Sequence, residues 1–164
     1  KSYQSHDIDE PFIREYSNMK GEDMSGIYPT LLRRRAESMI KIAERLLGEG
    51  EYDLAVFNAE YATQLYIESL STGSHEKSGE DIDSTLLGAL ALVAEENELK
   101  EIAEKIYNFV RRNRRILAEL EEAHARSIYG IFEYTRNQAK TLIDIAREVI
   151  EMIKEIEEKV FKQC

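Results

Sequence analysis

The sequence has very little of what breaks or cross-links a chain: two prolines, eight glycines and one cysteine in 164 residues, and no tryptophan. So few breakers exclude a fold of many short strands and tight turns, and the wealth of Glu, Lys, Leu, Ile and Ala predicts an all-α protein. The lone cysteine, Cys164, has no intrachain partner and no metal-binding neighbours. With no secretory pattern in the first residues, a reducing, cytoplasmic location is expected. No apolar run reaches the roughly 20 residues that cross a bilayer, so no membrane partner is expected. Positive charge is also short: 22 Lys and Arg face 32 Asp and Glu, a net charge of -10. Such a surface repels phosphates on average, which excludes indiscriminate coating of nucleic acid. Contact with RNA or a nucleotide would have to come from a local basic patch.

What is there is helical periodicity, in a length that suits one core. Residues 1–29 show no sustained period. Gly21, Gly26 and Pro29 interrupt a helix there, although Phe12, Ile13, Tyr16 and Met19 could make one amphipathic turn, and the segment reads as an N-terminal arm. From residue 30 to 164 the pattern predicts an up-and-down four-helix bundle with an additional short helix. The first helix carries Leu32, Ala36, Met39, Ile40, Ala43, Leu46 and Leu47 on one face, with Thr30 as cap and Gly48 as a left-handed end. The second, about 51–71, is apolar nearly all round and should be central or carry a subunit interface. Ser71 to Gly79 reads as a polar loop, and Leu86 to Ala94 as the short buried helix. A long third helix is predicted from Asn97 past Leu120. The fourth is predicted from about Ile131 to Phe161, with Phe132, Ala139, Leu142, Ala146, Val149, Ile150, Ile153 and Ile156 inward.

Within the third helix, Arg111, Arg112, Arg114 and Arg115 fall within five residues of an otherwise acidic chain. Guanidinium forks suit phosphate geometry, while nearby carboxylates offer the alternative of a solvated or salt-bridged face. Asn113, between them, lies on the extended apolar stripe, where it would tie two helices together or stand as a polar group in a cleft. The run Arg33, Arg34, Arg35 puts positive charge at a helix start, against the macrodipole, and hints weakly at an acidic or phosphate partner. Of the three histidines, His6 lies in the arm and His75 in the polar loop. His124 reads as a helix C-terminal residue favoured by the dipole, or as a general base. Glu121 and His124 make a lone Glu-x-x-His pair, and with no second such pair in the chain no metal site and no cofactor is expected.

The stretch AERLLGEGEYDLAVFNAEYATQLYIESLSTG, Ala43 to Gly73, resembles the second-helix region of HEPN domains through Gly50, Tyr52, Ala55, Phe57, Ala59, Ala62, Gln64, Ile67 and Leu70. The segment Tyr129 to Ile153 resembles the family's last helix, with Ala139 and Ala146 at its small-residue places. Ala123 to Gly130 is similar to the basic-aromatic turn of non-catalytic members. Glu60 and Tyr61 stand where the family usually has paired glutamines, and Glu68 where a lysine is common. The resemblance implies a small helical bundle tied to nucleotides and RNA. HEPN ribonucleases set an arginine ahead of a histidine with four to six residues between them, a cation for the phosphorane charge and an imidazole for the proton. Before His124 those places hold Leu117, Ala118 and Glu119, so the catalytic spacing is absent.

The reading is therefore a non-catalytic HEPN-like module that binds a nucleotide or RNA, or partners a minimal nucleotidyltransferase in a toxin–antitoxin-like pair. Arg111, Arg112, Asn113, Arg114 and Arg115 are the expected contact surface. A homodimer is expected, burying Val56, Tyr61 and their neighbours. The alternatives are a metal-independent endoribonuclease, in which Arg115 or Arg126 works with His124 despite the spacing, and a scaffold that binds only protein.

Overall fold

The structure, a computed structural model, describes residues 24–71, 95–96 and 98–161. Five helices run through them: α1 Met24–Gly48, α2 Tyr52–Ser71, α3 Lys100–Arg112, α4 Arg114–Tyr129 and α5 Arg136–Phe161. They form an all-α bundle, as expected. The short helix expected at Leu86 to Ala94, the polar loop before it and most of the arm lie outside the described residues.

Helix α1 begins at Met24 and runs through Pro29, so the break expected at Gly26 and Pro29 does not occur. Pro29, the sixth residue of the helix, lies just past the first turn and removes a single bond, to the Ser25 carbonyl, which the helix tolerates. The helix buries Leu32, Ala36, Ile40 and Ala43. Its exit is a tight turn in which the Glu51 N–H donates back to the Leu46 carbonyl at 2.9 Å. The residue that takes the left-handed conformation is Gly50, at φ +81°, rather than Gly48 as expected.

Helix α2 is the central element. It packs on α1, α5 and α4, which is how an almost wholly apolar helix buries most of its circumference, leaving an outward stripe with Leu54 and Tyr61 exposed. Ala55, Ala59 and Ala62 are fully buried and keep the neighbouring backbones close, with Tyr66 and Ile67 filling the space beyond. Val56 is also 0% exposed. It is spent inside the bundle, so the expected dimer surface at Val56 is corrected.

The expected long third helix is two helices. Asn113 sits between them at φ −116°, ψ 19°. Its backbone N–H donates to the Phe109 carbonyl at 3.1 Å and its side-chain amide to the same oxygen at 3.0 Å. An asparagine that bonds the backbone in this way competes with the helix ladder and ends α3. Helix α4 resumes at once, with the Leu117 N–H donating to the Asn113 carbonyl at 2.8 Å.

Helix α5 begins at Arg136, five residues later than expected. Thr135 and Gln138 form a reciprocal capping box: the Gln138 N–H donates to Thr135 Oγ1 at 3.2 Å, and the Thr135 N–H to Gln138 Oε1 at 2.9 Å. Phe132, expected inward, lies before this cap and is 81% exposed. The incoming chain is pinned by the Tyr134 N–H, which donates to Asp53 Oδ1 on α2 at 2.8 Å. Helix α5 then buries a continuous stripe from Ala139 to Ile156. Ion pairs Arg33–Glu157, Lys154–Glu37 and Arg147–Glu44 show α1 and α5 running antiparallel along the bundle.

Ile153 on α5 is 0% exposed within the core cluster. Ile153→Ala leaves a cavity at the middle of the bundle and is expected to cost about 2–5 kcal/mol in denaturant unfolding.

Candidate functional site

The break at Asn113 turns the arginine run into an elbow. Arg111 and Arg112 end α3, Arg114 and Arg115 open α4, and all four are exposed. The first two complement the α3 macrodipole, whereas the second two oppose that of α4. Among the described residues none of the four has an ion-pair partner. By contrast Arg33, Arg45, Arg126 and Arg147 are each paired with a glutamate. The elbow is thus a solvated basic cluster, not a salt-bridged one. Two shallow clefts open beside it along the outer face of α3, and both contain Asn108, Arg111 and Glu104. The carboxylates of Glu101 and Glu104 temper the positive field there. Asn113 is half-buried, and its amide nitrogen is held by its own helix, so it shapes the elbow.

His124 is not a loosely held helix end. Its Nδ1 lies 2.7 Å from Glu60 Oε2, a contact that joins α4 to α2 across 64 positions of sequence. The Glu60 side chain is 5% exposed and that of His124 43%, so the carboxylate is inside and the imidazole at the rim. Gln64 donates its amide N–H to the other Glu60 oxygen. Phe57 packs against the imidazole at 5.0 Å between ring centroids, and Tyr61 at 6.0 Å. Burial raises the Glu60 carboxyl above its usual 4.5, against the opposing pull of His124 and Gln64. With Nδ1 engaged by Glu60, the free ring nitrogen is Nε2.

The cations named with His124 do not join it. Arg115 is nine residues earlier on the same helix, about two and a half turns, which puts it on the opposite side. Arg126 is held by Glu122 at 2.7 Å. Among the described residues no three His, Cys, Asp or Glu side chains are grouped as a metal site would need. His6, His75 and Cys164 lie outside the described residues.

The Glu60–His124 pair is what sequence reasoning missed. A signal was present: a glutamate on the buried stripe of an apolar helix must find a partner. Which residue supplied that partner depended on how α4 lies on α2.

The bundle, with a kinked third arm and a buried carboxylate–imidazole tie, defines a class: small all-α domains built around one central apolar helix. The family model for the HEPN domain matches residues 30–156, and the chain belongs to that family. No curated protein and no solved structure matches it. Among the described residues no helix is long and apolar enough to cross a membrane.

His124→Ala leaves the Glu60 carboxylate without its main partner, and is expected to cost about 1–3 kcal/mol in urea unfolding at neutral pH. Glu60 also sets a pH dependence. Because its folded pKa is raised, its contribution to stability is full below the unfolded value of 4.5 and is lost as pH rises through the folded value. Wild type should therefore gain on Glu60→Gln as pH is lowered from neutrality toward 4.5, by no more than about 1.4 kcal/mol per pH unit. Unfolding curves of the two proteins across that window measure the difference.

Proposed function

We propose that this HEPN-family protein is a non-catalytic module that binds a nucleotide or RNA through the arginine elbow, in a cytoplasmic setting. The observation that carries the reading is the absence of any ion-pair partner, among the described residues, for Arg111, Arg112, Arg114 and Arg115. Four unneutralised guanidinium groups in a chain of net charge -10 are a local exception to its field. Their planar forks suit phosphate oxygens. The non-catalytic part of the reading is supported by the setting of His124, which has a carboxylate for a partner and, among the described residues, no arginine in contact with it.

Two further parts of the proposal come from family likeness. One is pairing with a minimal nucleotidyltransferase in a toxin–antitoxin-like system. The other is a homodimer, for which Leu54, Tyr129, Ile131 and Phe132 leave apolar surface exposed.

Binding of a short single-stranded RNA should weaken with salt, because each neutralised phosphate releases counterions. Replacing Arg111, Arg112, Arg114 and Arg115 by Ala should weaken binding and flatten its salt dependence by roughly 0.7 in log–log slope per lost contact. Titrations at several salt concentrations measure both. A wild-type protein with no salt-sensitive binding to RNA or nucleotides would leave the protein-only scaffold as the reading.

A further inference from the structure

A second group of unpaired arginines lies on another face of the bundle. In the run Arg33, Arg34, Arg35, which lies in the third and fourth turns of α1 rather than at its start, Arg33 is committed to the fold by Glu157 on α5 and by Thr30. Arg34 and Arg35 are exposed and have no partner among the described residues. With Ser38 and Met39 they line one open cleft of about 430 Å³, whose other wall is Tyr61 and Leu65 of α2. No carboxylate lines this cleft, unlike the two beside the elbow.

Tyr61 joins this cleft to the imidazole. Helices α1 and α4 both pack on α2, and Tyr61 of α2 both lines the cleft with α1 and contacts His124 of α4, so cleft and imidazole together bound one trough along α2. Tyr61 stands on the outward stripe of α2 at 37% exposure. Phe57 lies parallel to its ring, at 6.1 Å and 6°, and holds it in place. On the α4 side the ring faces His124, whose position is fixed in turn by Glu60.

We infer that this trough is a binding site for a single nucleotide unit, its base stacked on Tyr61 and its phosphate held by Arg34 and Arg35. An aromatic ring and guanidinium groups within one cleft are the two elements that nucleotide recognition without sequence preference requires. Ser38 adds a hydroxyl donor at the wall, and the His124 ring lies beyond Tyr61 at 6.0 Å between centroids. The inference rests on reading the chain as a nucleotide- or RNA-binding module, but it places the base in the trough rather than at the elbow. A free nucleoside monophosphate and the 5′-phosphorylated end of an RNA share this chemistry.

The experiment measures binding of AMP, of UMP, and of a 3′-labelled hexanucleotide RNA with and without a 5′-phosphate. The proteins are wild type, Tyr61→Ala, Tyr61→Phe, Arg34→Ala/Arg35→Ala and the fourfold elbow variant, each with its melting curve. Tyr61→Ala should weaken binding roughly tenfold or more, and Tyr61→Phe, which keeps the ring, should bind as wild type does. Arg34→Ala/Arg35→Ala should abolish the advantage of the phosphorylated RNA. Binding of AMP and UMP alongside it identifies the free nucleotide as sufficient; their failure beside a bound phosphorylated RNA identifies the chain end. If Tyr61→Ala binds like wild type while the elbow variant does not, the trough is overturned and the elbow reading stands. The reverse result upholds the trough and removes the elbow. A loss in Tyr61→Phe equal to that in Tyr61→Ala overturns stacking. No binding of any probe by wild type overturns both.

Discussion

Everything in this bundle is arranged around a helix that must bury apolar side chains on three sides at once and has only one stripe to give to water. Helix α2 meets α1, α4 and α5, and the fully buried Ala55, Ala59 and Ala62 let their backbones approach. Burying apolar area on several sides at once is a large favourable term, on the order of 25 cal/mol per Å². It also commits every side chain on the buried stripes. Glu60 is one of those commitments: a carboxylate inside the bundle must have hydrogen-bond partners, and His124 and Gln64 supply them. The placement of α4, the orientation of its imidazole and the outward stripe carrying Phe57 and Tyr61 all follow from how α2 is packed.

Charge is distributed with the same division of labour. Arg33, Arg147 and Lys154 reach across to glutamates and run along the α1–α5 seam. Exposed pairs of this kind stabilise little individually, but they fix which arginines are occupied. Of the arginines left over among the described residues, six gather in two places, the elbow at Asn113 and the α1 wall beside Tyr61, while Arg136 stands apart at the start of α5. In an acidic protein those are the positions where an anion gains most from local field against the average repulsion.

Much of the fold was readable in the residues, and the places where it was not are instructive. The central position of α2 followed from its apolar circumference, and the buried stripe of α5 from its period. The boundaries failed where local side-chain chemistry competed with periodicity. Asn113 ends a helix by bonding Phe109, although the apolar stripe runs on through it. The capping pattern at Thr135 and Gln138 was visible in the sequence, but the apolar Ile131 and Phe132 before it suggested a helix already begun. At the turn after α1 both glycines can adopt positive φ, and hydrogen bonding back to Leu46 and Leu47 selected Gly50.

The sequence by itself determined the class, the absence of the ribonuclease spacing and the location of the arginine cluster. These are properties of local order and composition. Tertiary structure decided what required two distant segments to meet: that His124 answers Glu60, that Val56 is interior, and that Arg34 and Arg35 share a cleft with Tyr61 while Arg33 does not. Periodicity tells which face of a helix is apolar. Only the packing of helices against one another tells which polar group on one of them stands opposite which on the next.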